Sequence, residues 1–146
     1  MKIIVDTNIV FSALLNIDSR IAQVLLLEDK NLHFFSCDFL KFEIAKHKNK
    51  ILKITKYSET QFSELEYLVT KNIHFQNHHL INPKILSKAE ELIKDIDIDD
   101  APFLALAISL KAQLWTGDKK LVKGLQNKGF NSIISTEEIL GNSLLF

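Results

Sequence analysis

Short apolar runs alternate with longer amphipathic segments throughout the 146 residues, which predicts an α/β fold: three α/β/α layers around a parallel sheet with crossover helices. The first run, Ile3 to Val5, is β-branched and lacks alternating polar residues, as is typical of a central strand buried on both faces. The length is that of one average domain, and 47% hydrophobic residues suffice for one core. We therefore expect residues 1–146 to form a single domain.

Helical spacing of apolar residues, and short β-branched or aromatic runs, define the elements after the first strand. Ser58 and Gln61 form the pattern of a capping box, which predicts where the fourth helix begins. The predicted elements in this half are two helices within 7–27 separated by a break at 16–19, a strand at 33–36, a helix from 38 to 52, a helix from 58 to 69 and a short strand at 73–75.

The second half of the chain repeats the alternation of helix and strand. The segment from Ala101 to Lys111 is apolar on every side, so we expect a fully buried helix there. The predicted elements are helices at 83–94, 101–111, 118–127 and 136–140, with strands at 113–116 and 132–135. The phenylalanines and Trp115 mostly fall at apolar-periodic positions, which favours core packing over base stacking.

Charge and cysteine content limit the classes of function. Eighteen Lys and Arg balance eighteen Asp and Glu, so binding to a polyanion has to use local patches. Cys37 is the only cysteine, which excludes an internal disulfide and favours the reducing cytoplasm. The apolar start is interrupted by Asp6, and no apolar run approaches the roughly 20 residues of a membrane span, so we expect neither a signal peptide nor a membrane partner.

Three acidic residues border apolar segments that are far apart in the sequence. Asp6 follows the first strand, Asp100 opens the apolar helix, and Asp118 follows the fourth strand after one glycine. In an open parallel sheet, ligands lie just outside the carboxyl ends of the strands, where such acids can meet in one crevice. Carboxylates that share a crevice repel one another, and a divalent cation such as Mg²⁺ or Mn²⁺ relieves that repulsion.

The same acids lie in segments that resemble the acidic motifs of PIN-domain nucleases, in the order and at the spacing of that family. The segments are Ile3-Ile4-Val5-Asp6-Thr7-Asn8, Asp99-Asp100-Ala101-Pro102-Phe103-Leu104-Ala105-Leu106-Ala107 and Leu114-Trp115-Thr116-Gly117-Asp118. A helical acid, Glu43, falls where the family places its second acid. Each motif alone is weak, but all of them in order cover nearly the whole chain, which makes the resemblance specific.

The resemblance implies a Rossmann-like sheet and Mg²⁺- or Mn²⁺-dependent endoribonuclease activity. It implies that Asp6, Asp100 and Asp118 bind the metal directly or through water, and that Glu43 completes the shell or orients the attacking water. Asn8, Asp99 and Thr116 match supporting positions of the family. Many bacterial members resemble VapC-like toxins, so the expected partners are an RNA substrate, a second copy of the chain in a homodimer and an antitoxin protein.

Each of these acids also has an ordinary structural explanation. Asp is a preferred helix N-cap, and Asp6, Asp100 and Asp118 each precede a predicted helix. In this interpretation Asp99 is solvated, and Asp95 and Asp97 belong to a surface acidic run. The residues alone do not decide between Asp99 and Asp100; the family motif favours Asp100 as the principal ligand.

Basic side chains flank the acidic positions on both sides. Glu43 shares a helical stripe with Lys46, His47 and Lys50, which predicts either exposed ion pairs or a basic surface beside a functional acid. Further lysines follow Asp118. The candidate RNA-binding residues are Lys46, His47, Lys50, Lys119 and Lys120.

Other site classes fit the sequence less well. A calcium loop starting at Asp95 fails because its glycine position is Asp100 and its bidentate glutamate position is Leu106. The histidines of 74–79 lie in a predicted strand and loop, and no second cysteine completes a zinc site.

Two other functions remain as alternatives. A catalytically inactive module with the same fold would bind RNA or protein without cutting it. A phosphoacceptor signalling domain fits poorly, because it requires adjacent acids after the first strand, where this chain has the single Asp6.

Overall fold

The computed structural model describes residues 1–144, with side chains through residue 142, and it has the predicted five-stranded parallel sheet flanked by helices. The strands are β1 (Lys2–Val5), β2 (His33–Cys37), β3 (Ile73–Gln76), β4 (Gln113–Trp115) and β5 (Ile133–Ile134). They lie in the order β3-β2-β1-β4-β5, and every neighbouring pair is parallel. The prediction of fold class is confirmed.

Helices connect the strands at nearly the predicted positions. They are α1 (Thr7–Leu15), α2 (Arg20–Leu25), α3 (Phe39–Thr55), α4 (Glu59–Thr70), α5 (Pro83–Ile93), α6 (Ala101–Leu110), α7 (Lys119–Asn127) and α8 (Thr136–Leu144). Ser58 and Gln61 form the predicted capping box at the start of α4. Two short 3-10 helices, His78–Leu80 and Ile98–Asp100, precede α5 and α6.

The central strand is β1, as its β-branched composition predicts. Ile3, Ile4 and Val5 are completely buried, with β2 on one side and β4 on the other. Val5 pairs with Trp115, the last residue of β4. Because the two strands end at the same level, the residues that follow them, Asp6 and Thr116, meet at the carboxyl edge of the sheet.

Helix α6 is the buried helix that the apolar sequence predicts. Six of its residues are buried, and the helix packs against β1, β2 and α5. Pro102 lies in its first turn, where a missing N–H costs no helical hydrogen bond. Since the acid-rich 3-10 helix ends at Asp100, the packing of α6 fixes the position of that residue beside the sheet edge.

The prediction that aromatic residues pack in the core holds for some of them. Trp115, Phe34, Phe62 and Phe103 are among the largest fully buried side chains, while Phe42 is 67% exposed. Other phenylalanines, including two on α1 and α3, are only partly buried. Among residues 1–144, no helix is both long and apolar enough to cross a membrane.

Candidate active site

Three acids from separate segments come within electrostatic reach of one another. The charge of Asp118 raises the pKa of Asp6, and the charges of Asp6 and Asp118 both raise the pKa of Asp100. This arrangement follows from the sheet, because β1 and β4 are neighbours and end together. The structure therefore places Asp6, Asp100 and Asp118 close enough to interact electrostatically.

Asp6 is the most buried of the three acids, with 2% of its surface exposed. Its Oδ1 accepts a hydrogen bond from the Ile9 backbone N–H at 3.0 Å and so caps α1. Burial raises the pKa of the Asp6 carboxyl from 3.8 to about 6, against hydrogen bonds from the Thr116 hydroxyl and from backbone N–H groups that favour the charged form. A buried carboxylate held this way is costly to ionise without a nearby cation.

The hydroxyl of Thr116 joins the acids of β1 and β4. It donates to the Asp6 carboxylate, and its oxygen accepts a hydrogen bond from the Asp118 backbone N–H at 3.2 Å. Thr116 is itself buried directly after β4. This residue therefore sets the position of both acids relative to each other.

Asp118 has a clear structural role. Its Oδ1 accepts hydrogen bonds from the backbone N–H groups of Lys120 at 3.0 Å and Leu121 at 3.2 Å, so it caps α7. The N-cap interpretation is thus correct for Asp6 and Asp118. A capping carboxylate keeps further oxygen lone pairs, so capping does not compete with a second role.

Asp100 stands in the same position before α6 but makes no capping hydrogen bond. Its side chain is partly buried, and burial followed by the charges of Asp6, Asp97, Asp118 and Asp99 raises its pKa from 3.8 to about 7. Within residues 1–144, no ion pair joins Asp6, Asp100 or Asp118 to a protein cation. Their negative charges are therefore not balanced by an ion pair with a described residue.

The donor chemistry suits a hard divalent cation. Carboxylate oxygens are the preferred ligands of Mg²⁺, and Thr7 Oγ1 is a buried polar atom with no hydrogen-bond partner among the described residues. Within the same residues, no group of three or more His, Cys, Asp or Glu side chains is arranged so that it could hold a metal ion. Mg²⁺ usually keeps several waters and uses only one or two carboxylates, so the acids present fit such an ion.

A cleft of about 510 Å³ extends from Asp100 between α1 and α3. Glu43 lines this cleft with a side chain that is 23% exposed, and its Oε2 lies 3.5 Å from His47 Nε2. Lys46 and Lys50 also line the cleft. The helical stripe of Glu43, Lys46, His47 and Lys50 therefore lines the same cleft as Asp100.

The other predicted site residues lie around this centre. Asn8 lines both the cleft and an adjoining depression that contains Asp118. Asp99 is exposed at the cleft. Lys119 lies in a separate groove with Thr116, and Lys120 is exposed at the start of α7.

Sequence reasoning missed Asp97, which we assigned to a surface acidic run. Asp97 is exposed, but it lines the cleft and raises the pKa of Asp100. Its side chain accepts a hydrogen bond from the Asp99 backbone N–H at 3.1 Å, which closes the 3-10 turn. The three-residue offset from Asp100 was the available signal. By contrast, Asp95 pairs with Lys128 outside the cleft.

The histidines of 74–79 form no zinc site within the described residues. His78 instead pairs with Asp38 through its Nδ1, at 2.5 Å from Asp38 Oδ1, and this pair lowers the pKa of the Asp38 carboxyl. Asp38 follows β2 and His78 follows β3, so the pair ties together the carboxyl ends of two neighbouring strands.

Comparison with known proteins agrees with this architecture. A family model described as a PIN domain matches residues 4–139, which is most of the chain. The matched region contains Asp6, Glu43, Asp100 and Asp118. No curated protein matches the chain.

Proposed function

The chain belongs to the PIN-domain family, whose members are in general nucleases, and on this premise we propose that it is a Mg²⁺- or Mn²⁺-dependent endoribonuclease. One observation carries the proposal. Asp100 is a partly buried carboxylate that makes no capping hydrogen bond, lies near two further acids and forms no ion pair with any described residue. An uncompensated acid of this kind marks a functional site, because it destabilises the protein unless a ligand neutralises it.

The proposed mechanism divides the work among the acidic residues. Asp6, Asp100 and Asp118 would hold the ion directly or through water, and the bound ion would activate water and neutralise charge on the phosphate oxygens. Glu43, across the cleft, would accept a hydrogen bond from the attacking water and orient it. Thr116 holds Asp6 and Asp118 in place through its hydroxyl.

Asn8 and Asp99 have supporting roles in this proposal. Asn8 lies where the cleft meets the depression of Asp118, and its backbone N–H donates to Asp6. Asp99 lies beside Asp100 and contributes to the negative potential that attracts the ion.

RNA would approach along basic side chains on both sides of the acids. Lys46, His47 and Lys50 line the cleft on one side, and Lys119 and Lys120 follow Asp118 on the other. Since the net charge is zero, these local cations supply the attraction for the phosphate backbone. The expected affinity is modest and falls as the salt concentration rises.

We further propose that residues 1–146 act as one domain, which forms a homodimer and serves as the toxin of a bacterial toxin–antitoxin pair in the cytoplasm. The support is the resemblance to VapC-like toxins. Expression in a bacterial host would then arrest growth, and Asp6→Asn would relieve the arrest. Light scattering of the purified protein would give twice the mass of the chain. Unimpaired growth at high expression would contradict the toxin role.

The direct test is incubation of the purified protein with mixed RNAs in Mn²⁺ or in a chelator. We expect cleavage only with Mn²⁺, and no cleavage by Asp6→Asn, whose side chain can still cap α1. Asp95→Asn is the matched control, since Asp95 is a nearby exposed acid outside the cleft. Cleavage at the wild-type rate by Asp6→Asn would refute the assignment.

A second candidate is a binding module without catalysis. It is favoured by one observation, that no three acidic or histidine side chains among the described residues form a ready metal cage. Calorimetric titration with Mn²⁺ separates the two functions. Binding that is lost in Asp100→Asn supports the nuclease, whereas the module predicts no Mn²⁺ binding together with retained RNA binding.

A further inference from the structure

We infer that Phe11 is a specificity-determining residue, on whose ring one base of the RNA adjacent to the cleaved bond stacks when it enters the cleft. The inference rests on the proposed ribonuclease function and deepens it. It assigns a role in base recognition to a side chain outside the acidic motifs.

The first argument is the shape of the aromatic surface in the cleft. The partly buried rings of Phe11 and Phe39 both line it. The Phe11 and His47 rings meet with centroids 5.4 Å apart and planes at 76°, which forms a corner and not a parallel stack. Phe39 likewise meets Phe103 at 57°. Neither Phe11 nor Phe39 is in a parallel stack in these pairs, so a base that stacked on one of them would replace no such stack.

The second argument is apolar surface that the core does not use. Leu15 and Ile54 line the same cleft and are 42% and 59% exposed. Apolar side chains that contribute to the core are normally covered, and their exposure together in a cleft indicates a ligand with an apolar face. A nucleobase offers such a face, and the cleft volume lies within the usual range for small-ligand sites.

The third argument is charge. Lys46 and Lys50 line the cleft together with the apolar side chains, and so does Asp100, one of the acids that would bind a metal. A nucleotide combines a flat apolar ring with an anionic phosphate, so it matches both features at once. Bases in a duplex are stacked on both faces and cannot enter, so the base that stacks on Phe11 has to be unpaired.

The test compares an RNA that has one cleavage site with the same RNA carrying an abasic nucleotide next to that site, on either side in turn. Loss of one base–aromatic stack is expected to lower kcat/KM of the wild-type protein by about 10- to 100-fold at one of the two positions. Phe11→Leu should show the same loss on the intact RNA and little further loss on the abasic RNA.

The matched control is Phe42→Leu, because Phe42 is an exposed phenylalanine on α3 that does not line the cleft. It should behave like the wild-type protein on both RNAs. Thermal melting checks that Phe11→Leu is folded. The abasic comparison on the wild-type protein does not depend on that variant, so it decides the inference even if Phe11→Leu unfolds.

The outcomes separate this inference from the proposed function. If folded wild-type protein with Mn²⁺ cuts no RNA, the proposed function fails and the inference fails with it. If the protein cuts RNA but the abasic changes alter kcat/KM less than about twofold on both sides, only the inference is overturned. Equal cleavage of duplex and single-stranded RNA would also overturn it.

Discussion

Asp118 and Asp100 occupy equivalent positions, each immediately before a helix and beside the other acids, yet only one of them stabilises its helix. Asp118 accepts two backbone N–H groups of α7, whereas Asp100 makes no capping bond to α6. Helix α6 has other support, since it is buried against the sheet. An aspartate immediately before a helix can therefore cap that helix, as Asp118 does, or make no capping hydrogen bond, as at Asp100.

The largest expected effect concerns activity, where the two acids should behave alike. Asp100→Asn and Asp118→Asn should each lower RNA cleavage by about 100-fold or more, because each removes a charge from the proposed metal site. The measurement is kcat/KM at fixed Mn²⁺. If Asp118→Asn retained full activity, Asp118 would be only a helix cap, and the comparison would separate a functional acid from a structural one.

The raised pKa values of Asp6 and Asp100 should make the stability of the protein depend on pH. Asp6 and Asp100 have pKa values of about 6 and about 7 in the folded protein, above the ordinary 3.8. The folded state therefore holds protons more tightly than the unfolded state, and stability falls as the pH rises from 5 to 8. We expect a loss of about 1 to 3 kcal/mol in a chelating buffer.

Urea denaturation at several pH values measures this loss. Asp100→Asn should flatten the dependence, because its side chain does not ionise. Asp118→Asn should retain most of the dependence, since burial remains the first cause for both Asp6 and Asp100. If the free energy of unfolding rose between pH 5 and 8, this would contradict raised pKa values at Asp6 and Asp100.

Alanine substitutions isolate the capping difference. Asp118→Ala removes the cap of α7 and should lower the free energy of unfolding by about 1 kcal/mol at pH 7.5. Asp100→Ala removes no cap and relieves repulsion, so it should leave the protein as stable or more stable. Thermal melting in a chelator compares them, and equal destabilisation by the two variants would contradict the difference in roles.

The smallest expected effect concerns the basic side chains in the cleft. Lys46→Ala and Lys50→Ala should each weaken RNA binding modestly and reduce the slope of log affinity against log salt by about 1. Lys84→Ala, at an exposed lysine on α5, is the control and should change neither quantity. Filter binding at several salt concentrations provides the measurement. An unchanged slope in both cleft variants would remove these lysines from the RNA path.

Sequence reasoning predicted the fold because each strand and helix carries its own periodic signal. The meeting of Asp6 and Asp118 was also predictable, since the end of a parallel strand fixes where the next residue lies. The capping difference was not predictable, because it depends on the backbone angles of Asp100, which follow from the 3-10 turn and the packing of α6.

Partly buried positions were the other limit of sequence reasoning. Phe11 lies on the apolar stripe of α1, and periodicity does not distinguish a ring in the core from one on a cleft wall. Likewise, Asp97 is one of several alternating acids, and only the fold of the turn decides that it lines the cleft while Asp95 pairs with Lys128. Such distinctions depend on tertiary packing, which a local pattern does not encode.

Gly117 lies between two depressions, lining both the one that contains Asp118 and Asn8 and the groove that contains Lys119. A Cβ atom at this position would meet no atom within 4 Å, so the packing of the protein does not require glycine there. Because glycine has no side chain, the space between the two depressions is open at this residue. On the proposed path of RNA from Asp118 to Lys119, a larger side chain at position 117 would obstruct the polymer without changing the charge of the site.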